Sequence, residues 1–172
     1  MERLLAKDAI LTLLTELAYA QDELDRPLMR SLFAPGRPVW FDISSHLAQY
    51  TPRQVSADEL MDEVTGAIAG YTATQHLLGN QLITFGTGEA AEQAPTSAHA
   101  KVQVCAYHCI QEEGRELQSV TSRGTWNIDV VKVEGRWVLE RIVIRRPVPM
   151  DNPDLYKVSK ERTVRRAEKT AE

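Results

Sequence analysis

Apolar residues recur at helical spacing in three segments near the start of the chain. The spacing predicts a first helix over residues 7–23, with an apolar stripe formed by Ile10, Leu13, Leu14 and Leu17. A second, short helix begins at Asp25, because Asp caps a helix and Pro27 is tolerated in the first turn. Ser56 and Glu59 have the spacing of a capping box, which predicts a third helix.

Alternating apolar and polar positions predict strands in the rest of the chain. We expect a short strand over residues 39–43 and long strands over residues 74–85, 98–110, 117–133 and 137–145. Helices come first and hairpins follow, so the predicted fold class is α+β. We expect a cone-shaped, curved antiparallel β-sheet covered by about three N-terminal helices, with a pocket at its open end. One domain would span residues 1–150, and residues 151–172 would form a polar C-terminal tail.

Two titratable residues stand where polar side chains are unusual. Alternation places His76 on one face of its strand with Thr74, Leu78, Asn80 and Leu82. A single His on an apolar face is more often a core residue with a satisfied hydrogen bond than a catalytic group. Asp22 lies at the edge of the first helix's buried stripe, where a carboxylate costs free energy unless it is paired. A solvated acid at the helix end is the alternative interpretation.

Composition narrows the class of protein. Of 172 residues, 43% are hydrophobic and 26% are charged, which is typical of a globular domain. The formal net charge of −4 argues against a nucleic-acid partner, because no basic stripe dominates the fold. No apolar run approaches the roughly 20 residues of a membrane span, and the N-terminus lacks a signal peptide's apolar core. We therefore expect neither a nucleic-acid nor a membrane partner.

The two cysteines indicate a reducing environment. Cys105 and Cys109 are four positions apart on one predicted strand, which separates them by about 13 Å, too far for a disulfide. We expect free thiols and a cytoplasmic protein. The sequence contains neither a metal-ligand cluster nor a Gly-rich phosphate loop, so no metal and no cofactor are predicted.

The element order and three short motifs resemble the SnoaL-like and scytalone dehydratase-like proteins of the nuclear transport factor 2-like superfamily. The first motif is Ala20-Gln21-Asp22 followed by Leu32-Phe33-Ala34-Pro35. The second is Thr74-Gln75-His76-Leu77-Leu78-Gly79. The third is Gly124-Thr125-Trp126-Asn127 followed by Gly135-Arg136-Trp137. The resemblance covers roughly residues 5 to 146, and it rests on the order and spacing of the motifs together.

The resemblance implies roles for individual residues. His76 would be the catalytic base and acid, and Asp22 would hold its ring and raise its basicity. His108, Thr125 and Asn127 would line the substrate pocket. Scytalone dehydratase also uses two tyrosines to polarise the substrate carbonyl, but Gln21 and Phe41 stand at those positions here. Tyr19, Tyr50 and Tyr107 are nearby candidates for the same role.

Elementary chemistry supports the same pair independently of the family. Proton abstraction next to a carbonyl needs a base with a pKa near working pH, which a histidine supplies. A carboxylate on the other ring nitrogen fixes the tautomer and stabilises the imidazolium. Together with this chemistry, the resemblance implies a cofactor-free lyase, a dehydratase or isomerase, acting on a small, mostly apolar, carbonyl-containing or polyketide-like substrate.

Several alternatives stay open at this point. The pair Asp22 and His76, called the dyad below, could also serve a polyketide cyclase that performs an aldol closure, or a dehydrohalogenase. The chain could also be a non-catalytic assembly or ligand-binding module, such as the small subunit of a ring-hydroxylating dioxygenase. A homo-oligomer, trimer or dimer, is expected, and the alternating residues Trp126, Ile128 and Val130 could face either the helices or a neighbouring subunit.

Overall fold

A computed structural model describes residues 1–88 and 94–171, with the backbone alone for residues 169–171. Its four helices are α1 (Glu2–Asp22), α2 (Arg26–Ser31), α3 (Ala57–Ile68) and α4 (Leu155–Ala171). The predicted caps are present: the Asp25 side chain accepts from the backbone N–H of Leu28, and Ser56 and Glu59 form the capping box. None of the described helices is long and apolar enough to cross a membrane.

Within the described residues, six strands form one curved sheet in the order β2-β1-β6-β5-β4-β3. Their bounds are β1 (Val39–Asp42), β2 (Arg53–Val55), β3 (Ala73–Phe85), β4 (Ser97–Ile110), β5 (Gln118–Val133) and β6 (Arg136–Arg145). The α+β prediction is confirmed, but a fully antiparallel sheet is wrong because β1 runs parallel to β6. Most of the domain lies between β1 and β6 in the sequence. Since no hairpin joins these two strands, no tight turn forces them to run in opposite directions.

Along β3, the positions whose side chains lie on the inner face of the sheet change halfway along the strand. The pairing of β3 with β4 shifts register between Gly79 and Leu82, and Asn80 adopts a φ of 47°. Beyond this irregularity, Leu82 is 62% exposed, whereas Ile83 packs against the core. The prediction that Asn80 and Leu82 share the face of His76 is therefore wrong, because a bulge inverts the alternation.

The inner face of the sheet packs against α1, α2 and α3 to form the main core. Trp126, Ile128 and Val130 are buried in this core, so they face the helices. Alternation then places Thr125 and Asn127 on the outer face of the sheet. The curved sheet and the helices on its inner face together form a cup. A second, smaller cluster closes one end of this cup and contains Ile68, Tyr71, Ile110, Val120 and Leu155.

Residues near the C-terminus fold back onto the domain. The sequence predicts a polar tail over residues 151–172, whereas the structure forms α4 there. Leu155 of α4 is 2% exposed within the second cluster, and Arg162 Nε donates to the carbonyl oxygen of Gly70 at 2.7 Å. The helix was missed because docking contacts, rather than a strong apolar stripe, hold it in place.

Gly124 allows the end of β6 to pass close to β5, and its replacement tests this packing. A Cβ atom at Gly124 would lie 2.1 Å from the carbonyl oxygen of Arg145, whereas nothing lies within 4 Å of a Cβ at Gly79. We expect Gly124→Ala to lower the free energy of unfolding by about 1–3 kcal/mol, measured by urea denaturation. Gly79→Ala is the matched control, and an equal loss in both variants would contradict the close approach.

Candidate active site

Asp22 and His76 meet where the end of α1 crosses β3. Asp22 Oδ1 contacts His76 Nδ1 at 2.6 Å, and Asp22 Oδ2 accepts the backbone N–H of His76 at 2.7 Å. The Thr74 hydroxyl donates to Asp22 Oδ1 at 2.9 Å. The carboxylate thus holds the imidazole through both ring and backbone, in nearly closed surroundings, because the His76 and Asp22 side chains are only 7% and 16% exposed.

The position of Asp22 is costly for the helix that carries it. It is the last residue of α1, where the partial negative charge of the helix end disfavours a carboxylate by about 0.3–1 kcal/mol. The chain turns immediately afterwards, through Leu24 with a φ of 54°. The hydrogen bonds between Asp22 and β3, rather than helix stability, account for an acid at this place.

Hydrogen bonding keeps Asp22 ionised. Burial alone would raise the pKa of Asp22, but the hydrogen bonds from His76 and Thr74 outweigh burial and hold the pKa below its usual value. An ionised carboxylate can only accept hydrogen bonds, so Nδ1 of His76 carries the hydrogen in this contact. In the neutral imidazole with this tautomer, Nε2 carries the lone pair that a general base requires.

Aromatic rings surround the imidazole of His76. Its ring centroid lies 5.8 Å from that of Trp126 and 5.5 Å from that of His108. His108 stacks on Tyr71 at 4.8 Å with an interplanar angle of 20°. The dyad therefore lies beside a group of rings at the junction of the main core and the second cluster.

His108 is neutral in this environment. Burial, together with the neighbouring His76, lowers the pKa of His108 from 6.5 to about 4, although Asp22 opposes the shift. Its side chain is buried, and its Nδ1 atom has no hydrogen-bond partner among the described residues. A buried, unpaired ring nitrogen is a group that a bound molecule could satisfy.

The structure brings together only some of the residues singled out in the sequence. Asp22, His76 and His108 lie side by side, as the resemblance implies. Thr125 and Asn127 do not meet them; they lie on the outer face, where Asn127 Nδ2 donates to Thr125 Oγ1 at 3.1 Å. Their strand register, with Trp126 turned inward between them, is the reason.

Three of the aromatic candidates also lie apart from the dyad. Tyr19 is 59% exposed on α1. The Tyr50 hydroxyl accepts from Arg53 at 2.5 Å, and the ring packs edge-to-face on Phe41 at 5.8 Å within the main core. Sequence reasoning missed Tyr71 instead, which follows α3, and no periodic signal marked that residue.

A second Asp–His contact occurs on the outer face of the sheet. His99 Nδ1 lies 2.6 Å from Asp129 Oδ1, and Arg141 also approaches Asp129 at 3.4 Å. The side chains of His99 and Asp129 are 44% and 34% exposed, so this pair is solvated. A groove of about 460 Å³ lies on the same outer face, lined in part by Leu77 and Cys105.

No group of three or more His, Cys, Asp or Glu side chains within the described ranges could hold a metal ion. Both cysteines are free thiols, as their spacing predicts. At Asp22 and His76, a carboxylate and an imidazole lie in contact, an arrangement that can move a proton.

Comparison with known proteins identifies the same architecture. A sequence model described as a SnoaL-like domain matches residues 2–143. The structure of the Kfla4162 protein from Kribbella flavida aligns with a TM-score of 0.74 at 17% identity, covering 88% of this chain and 96% of that one. No curated protein matches the sequence.

Two further solved structures have names that state a reaction. A protein from Novosphingobium aromaticivorans, provisionally assigned as a scytalone dehydratase, aligns with a TM-score of 0.65 at 20% identity, over 87% of this chain and 88% of that one. The hexachlorocyclohexane dehydrochlorinase LinA-type3 from Novosphingobium barchaimii aligns with a TM-score of 0.65 at 14% identity, over 86% and 90%. Identities of this size establish the fold alone, and the alignments confirm the predicted α+β fold with a curved sheet.

The neutral state of buried His108 predicts a dependence of stability on pH. Between pH 6.5 and about 4, the unfolded histidine binds a proton that folded His108 does not, so stability falls as pH falls through this window. The loss is about 1.4 kcal/mol per pH unit. The lowered pKa of Asp22 acts below 3.8, outside the window. We expect the free energy of unfolding of His108→Phe, measured by urea denaturation, to fall less steeply than that of the wild type as pH falls from 6.5 to about 4, with a slope smaller by that amount.

His46 provides an internal check on this prediction. Burial, helped by the positive charge of Arg146, lowers the pKa of His46 to about 4 as well. His46→Asn should therefore remove a second part of the pH-dependent loss of stability, of similar size. The double variant should remove both parts. A wild-type slope retained in His108→Phe would contradict the neutral assignment.

Proposed function

Because the chain belongs to the SnoaL-like domain family, whose model matches residues 2–143, we propose that it is a cofactor-free lyase. In this proposal, His76 removes a proton from carbon next to a carbonyl group, and Asp22 stabilises the imidazolium that results. The observation that carries the proposal is the 2.6 Å contact between Asp22 Oδ1 and His76 Nδ1 in a nearly closed site.

The proposed reaction is balanced without a further reactant. His76 Nε2 accepts the proton, and the electron pair of the C–H bond forms an enolate. Collapse of the enolate creates a carbon–carbon double bond and expels the leaving group from the neighbouring carbon. When that group is a hydroxyl, the imidazolium returns the proton and water departs, which regenerates the neutral base. Asp22 stays ionised throughout and balances the charge on the ring.

The surroundings of His76 support the proposed substrate class. The rings of Trp126 and His108 lie within 6 Å of the imidazole, centroid to centroid, and offer flat surfaces to a small, mostly apolar molecule. Dehydration, loss of halide and aldol closure all start from the same proton abstraction. The dyad therefore supports a dehydratase or isomerase first, and a dehydrohalogenase or polyketide cyclase as alternatives.

The base assignment can be tested with a reaction that needs only a base. 5-Nitrobenzisoxazole loses its ring proton and opens its N–O bond to give a coloured phenolate. We expect His76→Ala to slow this elimination by roughly 10²–10⁴-fold, the usual contribution of a general base. His99→Ala is the matched control, because His99 makes an equally short carboxylate contact on the exposed outer face.

Two outcomes would contradict the lyase. Equal rates in wild type and His76→Ala would remove the base assignment. If both were no faster than buffer on this probe and on small carbonyl substrates, the chain would instead be a non-catalytic binding or assembly module. A homo-oligomeric state and a cytoplasmic location remain predictions.

Replacing Asp22 tests the second half of the dyad. Asp22→Asn keeps the shape of the side chain but can no longer hold the Nδ1–H tautomer as a charged acceptor. We expect a loss of roughly 100-fold or more in the elimination rate. Asp129→Asn, which changes the outer pair in the same way, should leave the rate unchanged. A rate in Asp22→Asn within a few-fold of wild type would contradict the charge role of Asp22.

A further inference from the structure

Helix α4 docks on the end of the cup where His108 lies. Ser159 is fully buried at 0% exposure, and its hydroxyl donates to the carbonyl oxygen of Ala67 at 3.3 Å. Arg162 Nε donates to the carbonyl oxygen of Gly70. Gly70 lets the two backbones meet, because a Cβ atom there would lie 1.8 Å from the Ser159 carbonyl oxygen. Specific packing therefore fixes α4 in this position.

The first turn of α4 brings Tyr156 into the group of rings. The Tyr156 centroid lies 5.9 Å from that of His108 and 6.0 Å from that of Tyr71, both in edge-to-face geometry. His108 in turn lies 5.5 Å from His76. Tyr156 is therefore one ring beyond the second histidine, on a helix that no sequence pattern assigned to the site.

The Tyr156 hydroxyl is an unused donor. The Tyr156 side chain is half-buried, and its hydroxyl forms no hydrogen bond with any group in the described ranges. Burial raises the pKa of Tyr156 and the positive charge of Arg146 opposes the shift, so the hydroxyl keeps its proton at neutral pH. Arg146 itself donates to the carbonyl oxygen of His46 at 3.1 Å and meets no described carboxylate.

A protonated phenol that feels the positive charge of Arg146 suits a negatively charged oxygen. Proton removal next to a carbonyl creates such an oxygen on the enolate. We propose that Tyr156 binds the substrate oxygen that becomes negative when His76 acts, and that docking of α4 completes the site. This proposal rests on the proposed function for the identity of the base.

An enolate stand-in separates binding from catalysis. 4-Nitrophenol places a readily ionised oxygen on a flat ring, and its phenolate is followed by absorbance. We expect the full-length wild type to bind the phenolate, and Tyr156→Phe to bind it at least about 10-fold more weakly. Tyr19→Phe is the matched control, because it removes the same hydroxyl from an exposed position. Unchanged affinity in Tyr156→Phe, or no binding by wild type, would overturn the proposal.

A second variant tests whether α4 delivers the hydroxyl. Gly70→Ala keeps Tyr156 but displaces the helix, so it should weaken phenolate binding to a similar extent. Gly66→Ala, which meets open space on α3, should not. The double variant Gly70→Ala/Tyr156→Phe should bind no more weakly than either single variant. Independent, multiplying losses would show that helix docking and the hydroxyl act separately, and would overturn the delivery role.

The dyad variant distinguishes this proposal from the lyase assignment. His76→Ala should lose elimination of 5-nitrobenzisoxazole but keep phenolate affinity within about 3-fold, because the donor remains in place. If His76→Ala kept the elimination rate, the lyase assignment would fail while phenolate binding still tested Tyr156. If Tyr156→Phe bound normally and His76→Ala were inactive, only the role of Tyr156 would fail.

Discussion

A carboxylate buried at the end of the first helix is the constraint on which the site depends. Removing an acid from water costs several kcal/mol unless its lone pairs are satisfied. Asp22 is satisfied almost entirely from one strand, by the Thr74 hydroxyl and by both the ring and the backbone N–H of His76. The crossing of α1 over β3 is therefore fixed by a polar contact as well as by apolar packing. The same contact that offsets the cost of burying Asp22 also orients the imidazole.

Along the inner face of the sheet, the side chains change from aliphatic residues at one end of β4 to a histidine near the other end, beside the dyad. On β4, the inward positions run from Ala98 through small and branched apolar residues to His108, and all of them are buried. Small side chains let the helices approach the sheet at one end of the strand. At the other end, His108 and Tyr71 replace aliphatic packing with stacked rings. The site thus occupies the place where the main core gives way to the second cluster, which α4 covers.

Much of this arrangement could be predicted from the sequence because it depends on period and spacing. Helical and strand periods located α1, α3 and the long strands, and the motifs around Asp22 and His76 predicted that these two side chains would meet. The outward turn of Leu82 could not be predicted, because a bulge after Gly79 has no clear signature in one sequence. The faces of Thr125 and Trp126 remained ambiguous, since either alternation fits a two-sided sheet. Helix α4 and Tyr156 were missed because docking contacts, not local pattern, place them.

The two Asp–His contacts in this chain show why a short distance alone does not define a base. Both join Nδ1 to a carboxylate oxygen at 2.6 Å. The outer pair is screened by water and shared with Arg141, so its charges interact weakly and its ring meets solvent on the other side. The inner pair is largely withdrawn from water, where charge–charge interactions are stronger, and its free nitrogen lies among rings. Burial and neighbours, rather than the contact itself, are what would convert a histidine at the sheet surface into a working base.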